Sequence, residues 1–140
     1  MTTLLDTGPL VAYLYQGDQH HEWATQQAAR LSPPFLTCEA VLSEADFLLS
    51  DVPSGTECLL ELLDRDVIHA PFSYTAHTGR VHDLVRTYSD LPASFADACL
   101  VRMAEVHDDA RVFTVDSDFR VYQKHGRAPI PVLMPPSDGS

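Results

Sequence analysis

The chain is poor in positive charge. Its only lysine is Lys124, and its 9 basic residues face 20 acidic ones, a formal net charge of -11 over 140 residues. That balance excludes long-range attraction to nucleic acid, so any contact with RNA or DNA has to be local and metal-assisted. It suits a basic protein partner or plain solubility equally well. Cysteine is also scarce. Cys38, Cys58 and Cys99 are widely spaced with no C-x-x-C pair, which argues against a zinc ribbon or a dithiol redox motif. Each reads as a small core residue in a reducing compartment. No G-x-x-x-x-G-K loop is present, and His20-His21-Glu22 lacks the H-E-x-x-H spacing of a zinc protease. The seven histidines therefore read as surface or packing residues. No apolar run reaches membrane-spanning length, and Asp6 interrupts the first one too early for a secretory leader. The expectation is a cytoplasmic protein with no membrane association.

What is present is a 45% hydrophobic chain of single-domain length, with short β-like runs alternating with longer helical patterns. Strands are expected at Thr3–Leu5, Phe35–Thr37, Val67–His69, Arg111–Val115 and Pro131–Leu133. Helices are expected from Thr7-Gly8-Pro9 to about Tyr15, then over Asp18–Leu31, Glu39–Leu49, Thr56–Leu63, Tyr74–Tyr88 and Ser94–His107. Pro9 suits a first helical turn, with Asp6 or Thr7 as cap. Such alternation predicts a doubly wound α/β fold with helices on both faces of a parallel sheet. Residues 1–134 form one domain, and the tail 135–140 carries no packing signal and is expected to be mobile. Trp23 and Tyr13 read as core. Arg80, Arg86 and Arg102 are candidate phosphate contacts that a solvated helix face explains better.

Four acidic residues stand out by position. Asp6 and Asp116 each end an apolar strand, where open parallel sheets bind ligands. Glu44 falls on or beside the apolar stripe Ala40, Val41, Ala45, Phe47 and Leu48, and Asp97 precedes Leu100, Val101 and Ala104 by helical spacing. A buried carboxylate is costly unless paired or metal-bound, and four together suit a hard divalent cation. Each has a plain structural alternative. Asp6 is a helix cap, Asp116 and Asp118 are turn residues, and Asp97 is a partner of the helix dipole. Glu44, inside a helix, has no such job.

The four segments, taken in order, resemble the PIN domain family. Leu4-Leu5-Asp6-Thr7-Gly8-Pro9-Leu10-Val11-Ala12 is similar to its opening, and Thr37 through Glu44 to Leu49 to its second acidic segment. Tyr88-Ser89-Asp90-Leu91-Pro92 with Ala96-Asp97-Ala98 resembles the third, and Phe113-Thr114-Val115-Asp116-Ser117-Asp118-Phe119 the fourth. At this size the chain most resembles the toxins of VapBC-type toxin–antitoxin pairs. The resemblance implies a three-layer α/β/α fold with a five-stranded parallel sheet, and an endoribonuclease dependent on one or two Mg²⁺ or Mn²⁺ ions. It implies Asp6, Glu44, Asp97 and Asp116 as catalytic and metal-binding residues, with Asp118 as an auxiliary or substitute for Asp116. Thr7, Ser94 and Thr114 would supply hydroxyl contacts near the phosphate. A basic antitoxin and a homodimer are the implied protein partners.

Other α/β readings fit less well. A response-regulator receiver needs a lysine beyond a late strand, and Lys124 is followed by His125 rather than Pro. A haloacid-dehalogenase phosphatase needs Asp-x-Asp after its first strand, where this chain has Asp6-Thr7-Gly8. A non-catalytic binding module of the same fold and a housekeeping RNA-processing nuclease remain as alternatives.

Overall fold

The computed structural model describes residues 1–91 and 93–136. Of the tail expected to be mobile, residues 137–140 lie outside the described residues. Strand β1 (Thr2–Leu5) leads into helices α1 (Thr7–Leu14) and α2 (His21–Arg30), then β2 (Phe35–Leu36). Helices α3 (Glu39–Leu48) and α4 (Gly55–Asp64) precede β3 (Ile68–His69), and α5 (Thr78–Thr87) and α6 (Phe95–Val106) precede β4 (Ala110–Phe113). A small antiparallel hairpin, β5 (Gln123–Lys124) and β6 (Ala128–Pro129), comes before β7 (Val132–Leu133).

Five strands pair in parallel in the order β3-β2-β1-β4-β7. The chain winds outward from β1 to β3, then returns to the other side of β1 for β4. With right-handed crossovers, that reversal puts the helices before β3 on one face and those after it on the other, which makes three layers. The reversal lies between β1 and β4, whose register sets Leu4 against Val112 and Leu5 against Phe113. The carboxyl ends of these two strands therefore open on the same crevice, the position where such sheets bind ligands.

Beneath it the core is continuous. Leu4, Val112, Val41, Leu100 and Ala12 are fully buried, and Trp23 and Phe35 meet Phe113 edge to face. Gly8 has a specific packing reason. A Cβ there would collide with the Val115 side chain, so glycine lets the first turn of α1 lie against the segment leading to Asp116.

Several expectations need correction. The helix expected over Tyr74–Tyr88 divides at His77, with a 3₁₀ turn over Tyr74–Ala76 and α5 beyond it. His77 has φ -135°, stacks on Phe72 and accepts a hydrogen bond from Arg102, contacts that override helical continuity. Tyr13 is exposed rather than core, and so is Cys58, whereas Cys38 and Cys99 are buried.

Arg80 and Arg102 do not form a solvated face. Both grip Glu105, whose side chain is fully buried. Arg80 donates to it through Nε at 2.9 and 3.3 Å and through Nη2 at 2.7 Å, Arg102 donates at 3.2 Å, and the His125 backbone N–H donates at 2.6 Å. Burial alone would raise the Glu105 carboxyl, but these donors outweigh it and hold the group below its ordinary range. The cluster fastens α5, α6 and the β5–β6 turn together.

Arg80→Met leaves a buried carboxylate short of donors and is expected to cost about 3 kcal/mol, the low end of the usual range because Arg80 keeps partial contact with solvent. Glu105→Gln removes the buried charge, keeps one acceptor oxygen and leaves partly exposed arginines that water can reach, and should cost less. A depressed carboxyl contributes stability above its unfolded pKa and loses it as pH falls through the folded one. Urea denaturation at pH 7 should therefore separate wild type from Arg80→Met, and the gap should narrow at pH 3. Equal losses in the two variants, or a gap independent of pH, would contradict this account.

Candidate active site

Asp6 follows β1 directly and is the N-cap of α1. Its Oδ1 accepts from the Thr7 N–H at 2.8 Å, which satisfies one of the free donors of the helix. Its Oδ2 accepts from the Thr114 hydroxyl at 2.7 Å, across the β1–β4 boundary. Thr114 in turn accepts from the Asp116 N–H at 2.9 Å. The residue is 6% exposed. Burial is the main reason its carboxyl is pushed up to about 7. The two hydrogen bonds offset part of that rise, and repulsion from Asp97 and Asp116 adds to it.

Asp97 sits at the third position of α6, in a reciprocal capping box with Ser94. Its N–H donates to Ser94 Oγ at 3.0 Å, and the Ser94 N–H donates to its Oδ2 at 3.3 Å. The Tyr122 hydroxyl donates to the same Oδ2 at 3.1 Å. Burial raises the Asp97 carboxyl, the Ser94 and Tyr122 donors offset part of this, and repulsion from Asp116 adds to it. Asp116 caps the 3₁₀ turn Ser117–Arg120, its Oδ1 accepting from the Asp118 N–H at 2.9 Å. Asp116 and Asp118 are both half-buried.

The structure therefore brings Asp6, Asp97 and Asp116 within reach of one another's charge, with Asp118 beside Asp116. Glu44 is different. It is exposed on α3, not buried as its spacing suggested. The buried stripe of α3 runs through Val41, Ala45 and the capping Leu49, while Phe47 and Leu48 are 69% and 54% exposed. Among the described residues Glu44 has no hydrogen-bond or ion-pair partner.

The hydroxyls also sort themselves. Thr114 is fully buried and committed to Asp6 and Asp116, so it positions carboxylates in place of the expected phosphate contact. Ser94 is exposed and caps α6. Thr7 Oγ1 is buried with no hydrogen-bond partner among the described residues, an orphaned polar atom beside Asp6. Tyr122 carries no signal in the sequence, because its partner, Asp97, lies 25 residues away and no local pattern marks it.

Among the described residues no group of three or more His, Cys, Asp or Glu side chains is already gathered into a metal cage. The donor set nonetheless fits a hard divalent cation. Its donors are all oxygens, two carboxyls have raised proton affinity that a cation would relieve, and a buried hydroxyl lacks a partner.

The raised Asp6 carboxyl has a testable sign. Between pH about 4 and about 7 the folded state keeps a proton that the unfolded state has released. The stability of the metal-free protein should therefore fall as pH rises across that window and level off above it. Asp6→Asn should flatten this slope and raise the melting temperature in chelator at pH 8, with the advantage vanishing near pH 4. Parallel melting profiles for the two proteins would show that the Asp6 carboxyl is not perturbed.

Comparison with protein-family models matches residues 3–124 to the PIN domain. No curated protein matches the chain.

Proposed function

The chain belongs to the PIN domain family, and from that premise we propose that it is a metal-dependent endoribonuclease, the toxin of a toxin–antitoxin pair. The family fold is generally a nuclease fold that uses divalent ions. The observation that carries the finer reading is the junction of Asp6, Asp97 and Asp116 at the β1–β4 crevice, with the Asp6 carboxyl raised by burial.

Asp6, Asp97 and Asp116 would hold Mg²⁺ or Mn²⁺, with Asp118 as an auxiliary to Asp116. When bound, such a cation lowers the pKa of a coordinated water and neutralises charge on the phosphate. Asp6 would give up its proton on binding, and Thr114 keeps its Oδ2 in place. Asp97 is held by Tyr122 and by the capping box, so it loses little freedom on ligation. Glu44 stands free at the surface of α3, and its assigned role is to bind metal or to orient the attacking water. The substrate is RNA, cut by in-line attack of water on phosphorus to leave 5′-phosphate and 3′-hydroxyl ends. Single-stranded loops expose the scissile bonds best.

Two partners complete the proposal. A basic antitoxin would place an arginine among the carboxylates and exclude metal and RNA together. A partly open apolar cavity of about 210 Å³, lined by Leu10, Tyr13, Ala28, Pro33, Phe35 and Val67, offers such a partner a separate apolar hold. The exposed Phe47 and Leu48 on α3 and Leu60 on α4 support a homodimer. Among the described residues no helix is long and apolar enough to cross a membrane.

The test is a Mn²⁺ titration of thermal stability with a parallel RNA cleavage assay, on wild type, Asp6→Asn and Asp97→Asn. Wild type should gain about 2.7 kcal/mol at a hundredfold excess over Kd. Both variants should lose that gain and all metal-dependent cleavage. Cleavage surviving in Asp6→Asn would overturn the assignment, and metal and RNA binding without cleavage by the wild type would indicate a binding module.

A further inference from the structure

We infer that Tyr122 is a positioning residue of this site, whose hydroxyl holds one oxygen of Asp97 so that the other is presented to a divalent cation. The inference rests on the metal-dependent reading above and adds a residue that neither the acidic motifs nor the family match singles out.

Tyr122 is 1% exposed, and its ring lies edge to face against Tyr88 at 4.9 Å and Phe119 at 5.0 Å. A tyrosine buried this deeply needs an acceptor for its hydroxyl, and the acceptor here is a carboxylate of the site. Both donors that reach Asp97, the Tyr122 hydroxyl and the Ser94 N–H, converge on Oδ2. Oδ1 has no donor among the described residues. The capping contact alone is long, at 3.3 Å, and belongs to an exposed serine. The tyrosine supplies the shorter and drier of the two restraints.

The segment that carries Tyr122 is itself held from two further sides. The Gln123 N–H donates to the Tyr88 hydroxyl at 2.9 Å, and the His125 N–H donates to the buried Glu105 at 2.6 Å. Glu105 belongs to α6, the helix whose first turn holds Asp97, so one helix anchors the hairpin turn near its end and receives the tyrosine near its start. This is the geometry of an outer partner that fixes the rotamer of a metal-binding carboxylate. Such partners typically contribute 10–100-fold to metal affinity.

The test uses the full chain and Mn²⁺, with affinity read by isothermal calorimetry rather than by activity. Tyr122→Phe keeps the ring and its packing and removes only the hydroxyl, so the far-ultraviolet circular dichroism and the cooperativity of thermal unfolding should match wild type. Its Mn²⁺ affinity should fall about tenfold or more. Tyr88→Phe removes a hydroxyl from the same aromatic stack that reaches only the Gln123 N–H and not Asp97, and should lose clearly less affinity than Tyr122→Phe even if it melts earlier. Wild-type affinity in Tyr122→Phe overturns the inference, as does an equal loss in Tyr88→Phe, which would trace the effect to hairpin packing. A wild type that binds no Mn²⁺ would instead remove the metal-dependent reading on which the inference stands.

Discussion

The hydrogen bond from Thr114 to Asp6 joins the two central strands at the point where the sheet reverses direction. It places a carboxylate at the closed end of a crevice, dry enough that its proton becomes hard to remove. Everything else at the site is arranged around that cost. Asp6 recovers part of it by capping α1, and Thr114 passes the constraint on to Asp116 through the backbone. Gly8 allows the helix to sit close enough for the arrangement to close. A carboxylate held where its charge is costly lowers stability, a trade that functional sites commonly make.

Much of this was readable in the chain. Asp6 follows β1 directly and Asp116 comes three residues after β4, because continuous apolar runs, as in strands buried on both faces, stop at them, and the β1–β4 register brings the two ends together. The helical spacing from Asp97 to Leu100, Val101 and Ala104 is a local signal for α6 with Asp97 in its first turn, to which the structure adds the capping box with Ser94. The five-stranded sheet followed from the alternation of elements and from the family resemblance.

The failures have physical reasons. Helix α3 is apolar over most of its circumference, so its sequence does not reveal which face is buried. The structure chose Val41, Ala45 and Leu49 and left Phe47 and Leu48 in solvent, carrying Glu44 out with them. The β5–β6 hairpin has two residues per strand, one of them proline, and no alternation to detect. The Glu105 cluster and the Tyr122 contact each join residues about 25 apart in sequence, which no local window can pair. The contacts that hold Asp97 and Glu105 are thus hidden from the sequence, while the acidic residues at and after the strand ends are visible in it.

The last strand sets a boundary of its own. The family match ends at residue 124, yet β7, at Val132–Leu133, is the partner that covers the outer side of β4. A chain trimmed at the end of the recognisable domain would leave the backbone of β4 unpaired along the flank that supports Thr114 and Asp116. Such a bare edge recruits other strands. Aggregation of a trimmed protein would then report a missing neighbour rather than a faulty core, and the eight or nine residues past the match are as much a part of the sheet as its first strand.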